Sequence, residues 1–355
     1  MKLAFYAPMK APDHPIPSGD RAMARGILAA LEKAGHESVV ASDLRLFEPR
    51  GDRAAQDALR GKAEAEINRI KADPQANTWR AWVTYHNYYK APDLIGPVVA
   101  AYLKIPYILV EATRAKKRLH GRWSDFAVSA EAATDAARLI FYLTERDAQA
   151  LRRDAPKGQA LIHLRPFLVR DALPPASDLG GPMLSVGMFR PGDKLASYQL
   201  IADTLALLPD SPWHLEIAGD GAARREVEEM MAPFGKNVRF LGELDQEGLT
   251  RQYERASLLF WPGVNEAFGM TYLEAQAAGV PVVAQDRPGV RDVILPDKHP
   301  RPFEGPEALA KRLLHLLLQP ETSAEEAADG RARMQRHHLL HAAAKTLAEG
   351  LESFA

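Results

Sequence analysis

Short apolar runs alternate along the chain with longer segments whose apolar residues recur every three or four positions. The first pattern is typical of buried strands and the second of amphipathic helices. Five runs in the first half predict strands at residues 2–7, 37–42, 79–86, 106–112 and 139–144. Five more in the second half predict strands at residues 183–189, 213–219, 238–242, 257–263 and 280–286. This alternation predicts two parallel sheets that are covered by helices.

A stretch rich in Pro and Gly, residues 164–182, separates the two series, and such a composition is typical of linkers. We therefore predict an N-terminal domain of residues 1–168, a linker of residues 169–182 and a C-terminal domain of residues 183–335. The tail, residues 336–355, predicts a helix with enough Leu and Ala to pack on a domain surface, such as that of the N-terminal domain. The expected fold class is α/β, with two doubly wound, Rossmann-like domains that face each other across a cleft, where ligands bind at the carboxyl ends of strands.

Composition narrows the classes of function. The 355 residues carry a formal net charge of -1, so no basic field attracts nucleic acid as a partner. The sequence has no cysteine, which removes thiol nucleophiles and thiolate metal sites. The N-terminal apolar run is too short for a signal peptide, and no window of about 20 residues is apolar enough to span a bilayer. These features predict a cytoplasmic protein.

The stretch GVNEAFGMTYLEAQAAGVPVV, residues 263–283, combines a loop with a short helical pattern. The helix is expected to begin near Gly269 or Met270 and to end before Gly279, since glycine is preferred after a helix C-terminus. The free N–H groups of its first turn form an anion site, and Gly269 would let a phosphate approach the backbone. The pattern therefore predicts a phosphate-binding helix start.

Two glutamates flank this helix start. Glu266 lies in the loop before it, and Glu274 lies one turn into the helix, on the same face as Met270. Carboxylates suit the hydroxyl pairs of sugars and riboses because they are pure acceptors. A nucleoside diphosphate sugar would meet one carboxylate on either side of its phosphates. The alternative is that Glu266 stabilises the helix dipole and that Glu274 is a solvated helix residue.

The run Glu266-Ala-Phe-Gly-Met-Thr-Tyr-Leu-Glu274, followed by AQAAGVPVVA and PGVRDVI, resembles the E-x7-E segment of the family 4 retaining glycosyltransferases, which have the GT-B fold. The resemblance extends through IAGDGAARREVEE, VRFLGEL and LTRQYERASLLFWPG, so that it covers essentially the whole C-terminal domain. It implies that Glu274 holds the nucleotide ribose and that Glu266 lies against the donor sugar. It also implies that the diphosphate binds the backbone of Phe268, Gly269, Met270 and Thr271.

Two basic residues, Arg190 and Lys194, follow a predicted strand in VGMFRPGDKLASY. A diphosphate needs such cations because helix N–H groups alone leave much of its charge uncompensated. The pair resembles the family's Arg and Lys after the first strand of the second domain, and the resemblance implies that both act with Glu266 in catalysis. The match is partial, since Met188 and Leu195 stand where the family has Arg and Gly. A solvated loop is the alternative.

Three residues of the predicted N-terminal domain are candidates for substrate binding. Gly19 stands where the family has a Gly-Gly loop, although a simple turn with Ser18 as N-cap would explain it equally well. His86 follows a predicted strand beside Asn87 and two tyrosines, which suits an acceptor surface or a structural histidine. Glu111 ends another strand, close to where related enzymes place a histidine near the reacting sugar.

The segment RAKKRLHGR, Arg114–Arg122, holds five Lys or Arg residues and no acidic residue. Such a cluster predicts binding of an anionic acceptor or peripheral contact with the inner face of the membrane, whereas most charge runs are simply solvated.

The sequence lacks the Walker A, G-x-S-x-G and H-E-x-x-H motifs, and it has no Asp pair at D-x-D spacing that would hold a metal ion. The leading interpretation is a retaining, metal-independent, hexosyltransferase-like enzyme that uses a UDP- or GDP-sugar and no cofactor, with an unknown acceptor. One alternative is a GT-B phosphorylase or nucleotide-sugar epimerase. Another is a catalytically silent GT-B module that binds a glycan or a partner.

Overall fold

The computed structural model describes residues 1–16, 18–209 and 213–354. The chain forms two compact units. Unit 1 consists of residues 1–169 together with the residues from Leu340 onward, and unit 2 consists of residues 170–339. Ala355, the last residue of the predicted C-terminal helix, lies outside the described residues.

Unit 1 is built on a parallel sheet of six strands. These are β1 (Lys2–Tyr6), β2 (Glu37–Ser42), β3 (Ala81–Asn87), β4 (Tyr107–Ala112), β5 (Leu139–Tyr142) and β6 (Ala160–His163). Their order in the sheet is β2-β1-β3-β4-β5-β6. The helices between them are α1 (Gly19–Lys33), α2 (Arg53–Ala72), α3 (Gly96–Leu103), α4 (Ser124–Ala136) and α5 (Glu145–Asp154).

The strand pattern of unit 1 agrees with the sequence except at β6. The central strands are apolar on both faces because helices cover the sheet, and Trp82, Leu109 and Ile140 lie fully buried in its core. β6 lies at the edge of the sheet and its residues are only partly buried, so it lacks the strongly apolar signal of the others. The prediction of five strands in this unit therefore missed β6.

Unit 2 contains a second parallel sheet, of five strands. These are β7 (Met183–Val186), β8 (Leu215–Ala218), β9 (Val238–Gly242), β10 (Leu259–Phe260) and β11 (Val282–Val283). Their order is β11-β10-β7-β8-β9. The helices are α6 (Asp193–Leu205), α7 (Arg224–Met231), α8 (Gln246–Tyr253), α9 (Met270–Ala277), α10 (Gly305–Leu318) and α11 (Pro320–His337).

The predicted strands at 257–263 and 280–286 are too long, since β10 and β11 have two residues each. Pro262 and Pro281 flank these strands and have no N–H group to donate to a ladder. The apolar runs reflect burial on both sides of the sheet beyond the hydrogen-bonded residues.

Two connecting segments are fixed by packing. Residues 170–182 run along unit 2, where the Ser177 N–H donates to the Ala278 carbonyl at 2.7 Å and the Gly181 N–H to the Arg255 carbonyl at 2.9 Å. The last helix, α12 (Leu340–Glu352), packs against α1 in unit 1 and buries the apolar face that its Leu and Ala residues form. None of the described helices has the length and apolar composition to cross a membrane.

The strand order reverses once in each sheet. In unit 1 the reversal lies at β1, with β2 on one side and β3 on the other. In unit 2 it lies at β7, with β8 on one side and β10 on the other. Loops at the carboxyl ends of the strands diverge at such a reversal and leave a crevice, which is where doubly wound sheets bind ligands.

Two adjacent valines on α3 test the burial of unit 1. Val99 is 0% exposed and Val98 is 44% exposed. Val99→Ala should lower the free energy of unfolding by about 1.5–3 kcal/mol because it removes a fully buried branched side chain. Val98→Ala, the matched control, should change it by less than about 0.5 kcal/mol. Urea unfolding measures both values, and equal losses would contradict the assigned helix face.

Candidate functional site

Unit 2 joins two loops at the reversal of its strand order. The loops follow β7 and β10, which are parallel neighbours, so both emerge at the same edge of the sheet. The Val264 N–H donates to Oγ of Ser197 at 3.0 Å, and Nδ2 of Asn265 donates to Oδ2 of Asp193 at 2.9 Å. These bonds fix the loop after β10 against the first turns of α6.

Lys194 and Glu266, both predicted site residues, meet at this junction. Nζ of Lys194 forms an ion pair with Oε1 of Glu266. The same oxygen accepts a hydrogen bond from the indole N–H of Trp261 at 3.0 Å, and the ammonium lies 5.1 Å from the centre of the Trp261 ring. The Lys194 side chain remains 28% exposed and the Glu266 side chain 15% exposed. The pair is thus shielded but still open to a ligand.

Glu274 lies on α9 with different partners. Oε2 of Glu274 accepts a hydrogen bond from the hydroxyl of Tyr253 at 3.1 Å, and that hydroxyl lies 2.9 Å from Oγ1 of Thr271. Burial raises the pKa of Glu274 to about 7, although the Tyr253 hydrogen bond and the charge of Arg170 oppose the rise. Glu274 is therefore a half-buried carboxyl group that changes charge near neutral pH.

The backbone between the two glutamates forms the start of α9. Gly269 precedes the helix with φ 84°, a conformation that favours glycine. The half-buried residues Phe268, Met270 and Thr271 surround it. The Tyr272 N–H donates to the Gly269 carbonyl at 3.2 Å, whereas the N–H groups of Met270 and Thr271 precede the first helical hydrogen bonds and have no partner within the helix. The helix start lies between the Lys194–Glu266 pair and Glu274 along the chain, as the sequence predicts.

Arg190 lies in the loop after β7, but its side chain is exposed. Its guanidinium lies 3.0 Å from Sδ of Met188, and none of the ion pairs in the described ranges includes it. The structure therefore brings Lys194 to Glu266 but does not join Arg190 to either. Among the residues that the structure describes, no cluster of three His, Asp or Glu side chains is arranged to hold a metal ion.

Unit 1 carries a second charged pair at its own reversal of strand order. Nδ1 of His86, on β3, lies 3.0 Å from Oδ1 of Asp20, in the first turn of α1. His86 and Glu111 occupy neighbouring strands, and both have positive φ values, of 65° and 62°. Burial alone would lower the pKa of His86, but the carboxylates of Glu111 and Asp20 raise it to about 9. Burial raises the pKa of Glu111.

Gly19 stands beside this pair but makes no close approach. Oγ of Ser18 accepts a hydrogen bond from the Arg21 N–H at 3.2 Å, so Ser18 is the N-cap of α1. A Cβ added at Gly19 would meet no atom within 4 Å. The backbone and the packing therefore do not require glycine at this position.

Three residues in these clusters were not predicted. Trp261 ends the run LLFW, Tyr253 ends α8, and Asp20 follows Gly19 directly. Asp20 is an acid in the first turn of a helix, which usually indicates interaction with the helix dipole. No local pattern shows that it contacts His86, which is 66 residues away.

The basic segment 114–122 is divided by its contacts. Arg114 forms ion pairs with Glu131 at 2.7 Å and with Asp135 at 2.6 Å, and its side chain is only 2% exposed. Lys116 forms an ion pair with Asp154 at 2.9 Å. Arg114 therefore stabilises unit 1, and the five cations do not form one exposed surface.

Residues 184–333 match the family model described as glycosyl transferases group 1. We call these residues of unit 2 the group 1 domain, after the family whose model they match. The chain resembles a GDP-mannose-dependent monoacylated alpha-(1-6)-phosphatidylinositol monomannoside mannosyltransferase of Corynebacterium glutamicum, with 31% identity over 37% of this chain and 36% of that protein. It also resembles a D-inositol 3-phosphate glycosyltransferase of Corynebacterium urealyticum, with 34% identity over 34% of this chain and 30% of that protein. The matches span about a third of the length of these curated relatives.

Solved structures resemble both units together. The sucrose-phosphate synthase of Thermosynechococcus elongatus matches 99% of this chain and 98% of its own, with a TM-score of 0.74 and 18% identity. Anabaena HepE in complex with UDP and glucose matches 99% of this chain and 100% of its own, with a TM-score of 0.71 and 14% identity. At sequence identities of 18% and 14%, the similarity to these two structures shows the fold alone. The chain therefore has the two parallel-sheet α/β domains of the GT-B fold, which confirms the predicted fold class as far as the two doubly wound domains are concerned.

The titration of His86 tests the charged pair of unit 1. Its folded pKa of about 9 exceeds the usual 6.5, so its stabilising effect is complete below about pH 6.5 and is lost as the pH rises through about 9. Asp20→Asn should lower the pKa of His86 and weaken this loss of stability. Glu32→Gln, an exposed change on the same helix, should leave the titration unchanged. Histidine NMR measures the pKa, and an unaltered His86 titration in Asp20→Asn would contradict the pairing.

Proposed function

We propose that the protein transfers a sugar from a UDP- or GDP-sugar to a hydroxyl group of an acceptor, with retention of the anomeric configuration and without a divalent cation. The observation that carries the proposal is the meeting of Lys194 and Glu266 beside the start of α9. This arrangement offers a cation, free backbone N–H groups and a carboxylate at the reversal of strand order. HepE, which shares the fold, is described in complex with UDP and glucose, and this supports a nucleotide-sugar donor.

The diphosphate would be bound by Lys194 and by the backbone N–H groups of Met270 and Thr271, with Arg190 approaching from its exposed loop. Without a ligand, Glu266 compensates the charge of Lys194. An arriving diphosphate offers Lys194 a second anion, and Glu266 is then free to accept hydroxyl groups of the sugar. The charge of Lys194 is paired in both states, which avoids a partly buried and uncompensated ammonium.

Glu274 would hold the ribose. Its carboxylate already accepts one hydrogen bond from Tyr253 and has further lone pairs for a hydroxyl pair. Since its pKa is about 7, the group must lose its proton to serve as a pure acceptor. Ribose binding and ionisation of Glu274 are therefore coupled.

The transfer step requires little from side-chain bases. The bond between the anomeric carbon and the diphosphate oxygen breaks with its electron pair leaving on the diphosphate, through an oxocarbenium-like transition state. Lys194, Arg190 and the N–H groups near Gly269 stabilise the charge that develops there. The acceptor oxygen bonds to the anomeric carbon from the same face, and its proton passes to the departing phosphate oxygen. Glu266 holds hydroxyl groups and does not attack the carbon.

Two substitutions separate the roles of the glutamates. Glu274→Gln should weaken binding of UDP or GDP by about 1–3 kcal/mol, the usual effect of losing a charged hydrogen-bond partner. Wild-type affinity should rise as the pH increases through about 7, where Glu274 ionises, and this part of the dependence should be absent in Glu274→Gln. Glu266→Gln should retain nucleotide binding, since Lys194 keeps its charge, but should lose turnover.

Calorimetry and donor turnover measure these effects. Exposed Glu247→Gln on α8 serves as the control and should change neither quantity. If both variants bind and react like the wild type, the site is wrongly assigned. If nucleotides bind but the wild type neither hydrolyses nor transfers the sugar, the silent-module alternative holds.

The anomeric configuration of the product tests the mechanism. An α-linked nucleotide sugar should give an α-linked product in the presence of EDTA, because Lys194, Arg190 and the helix start perform the role of a cation. The anomeric coupling constant in the proton NMR spectrum distinguishes the two products. A β-linked product would show inversion and overturn the front-side mechanism, and a loss of activity in EDTA that Mg²⁺ restores would overturn metal independence.

A further inference from the structure

A second charged cluster in unit 1 takes no part in the mechanism above. It consists of Tyr89, Lys90, Arg118, Arg122 and Trp123, and we call it the cation–aromatic patch. Tyr89 and Lys90 follow β3, and the other three residues follow β4. β3 and β4 are parallel neighbours, so the patch lies at the carboxyl edge of the sheet, where doubly wound sheets bind ligands.

The two rings hold the three cations of the patch. Cζ of Arg118 lies 5.1 Å from the centre of the Tyr89 ring and 5.2 Å from that of Trp123. Nζ of Lys90 lies 5.8 Å and 5.3 Å from the same two centres, and Cζ of Arg122 lies 5.6 Å from Trp123. The rings themselves are 5.6 Å apart in an edge-to-face arrangement. Three cations thus converge on one aromatic pair.

The rings orient these cations but do not neutralise them. Ring faces attract cations through their quadrupole, which carries no net charge. Within the part of the chain that the structure describes, no ion pair includes Lys90, Arg118 or Arg122, in contrast to Arg114 and Lys116 of the same basic segment. Nε of Arg118 is buried without a hydrogen-bond partner. The patch therefore holds three positive charges and an unused donor.

Glu48 contacts the patch, but its carboxylate is used in hydrogen bonds to backbone N–H groups. The carboxylate of Glu48 accepts hydrogen bonds from the N–H groups of Arg50 at 2.8 Å and Asp52 at 3.1 Å. The backbone of Glu48 supports the patch, because its N–H donates to the Lys90 carbonyl at 2.9 Å and its carbonyl accepts from the Trp123 indole at 3.4 Å. The patch is therefore preorganised, which reduces the entropy cost of binding a ligand.

A row of rings connects the patch with the charged pair of unit 1. The ring centres of Trp123 and Tyr89 are 5.6 Å apart, those of Tyr89 and Tyr88 are 5.5 Å apart, and those of Tyr88 and His86 are 4.8 Å apart. Tyrosine rings offer an apolar face and a polar tip, so they suit the mixed surface of a polyol. A ligand along this row would meet cations at one end and the His86–Asp20 pair at the other.

We propose that the cation–aromatic patch binds a phosphate group of the acceptor, and that the polyol part of the acceptor lies along Tyr89 and Tyr88 towards His86. The identification of this ligand as the acceptor rests on the proposed function, whereas the binding of a phosphate does not. A phosphate fits better than a carboxylate, because two guanidinium groups and one ammonium offer more donors and charge than one carboxylate can use. The phosphate belongs either to a soluble sugar phosphate or to a lipid headgroup.

Binding of two probes tests the patch in the full-length protein. Calorimetry compares glucose 6-phosphate with glucose, and sedimentation compares phosphatidylcholine vesicles with and without phosphatidic acid. The wild type should bind the phosphorylated member of at least one pair more tightly than its uncharged counterpart. The double variant Lys90→Gln/Arg118→Gln should lose at least about tenfold in that affinity, since each change removes a charged phosphate contact.

A matched control isolates the effect of the site from that of charge. Nζ of Lys71 lies 4.9 Å from the centre of the Tyr102 ring, elsewhere in unit 1. Lys71→Gln removes the same kind of cation from the same kind of ring and should leave binding unchanged. Arg118→Lys, which keeps the charge but loses the planar fork, should bind less tightly than the wild type but more tightly than Arg118→Gln.

The results of these experiments distinguish a soluble sugar phosphate from a lipid headgroup, and they test the phosphate site separately from the proposed sugar transfer. Selective binding of glucose 6-phosphate identifies a soluble acceptor, and selective binding of phosphatidic acid vesicles identifies a lipid. The proposed phosphate site is contradicted if the wild type shows no selective binding. It is also contradicted if the wild type and the double variant bind equally well. Donor hydrolysis is measured in parallel. If it is absent while phosphate binding follows the patch, the proposed transfer function fails and the phosphate site stands.

Discussion

The reversal of strand order beside the first strand of each sheet is the constraint on which both charged pairs depend. Parallel strands end at one edge, and strands on either side of the reversal bring their loops together there. In unit 2, the reversal at β7 brings Lys194 to Glu266 across 72 residues of chain. In unit 1, the reversal at β1 brings Asp20 to His86 across 66 residues. The same topology thus produces an ion pair in two sheets of different sequence.

The two pairs differ in what surrounds the cation. His86 pairs with Asp20, and the charges of Glu111 and Asp20 raise the pKa of His86 to about 9. Lys194 has one carboxylate and the face of Trp261. An imidazolium that pairs with one acid and lies near a second keeps its charge at neutral pH, whereas an ammonium held by one acid and one ring can change its anion. This difference supports the proposed acceptor surface in unit 1 and the proposed diphosphate site in unit 2.

The sequence predicts those features that depend on local burial and chain direction. The apolar runs locate the central strands, because a parallel sheet covered on both faces leaves no polar alternation. The start of α9 follows from Gly269 and the periodic residues after it. β6 is missed because none of its four residues is buried, whereas β2, at the other edge, buries Ala41 and Ser42. The lengths of β10 and β11 are overestimated because burial extends past Pro262 and Pro281. The contacts of Asp20 and Trp261 depend on strand order, which no local pattern encodes.

The groups that contact a Lys or Arg side chain decide whether that side chain stabilises the fold or remains open to a ligand. These contacts cannot be deduced from the composition of a segment. Arg114 has two carboxylates at 2.7 and 2.6 Å, so its charge is fully compensated and it fixes unit 1. Lys194 has one carboxylate and one ring, so an incoming anion competes with Glu266. Arg118, four residues after Arg114, has two rings and, among the residues that the structure describes, no carboxylate in an ion pair, so its charge is the least compensated of the three. Within one basic segment, the neighbours therefore separate a structural arginine from one that is free to bind an anion.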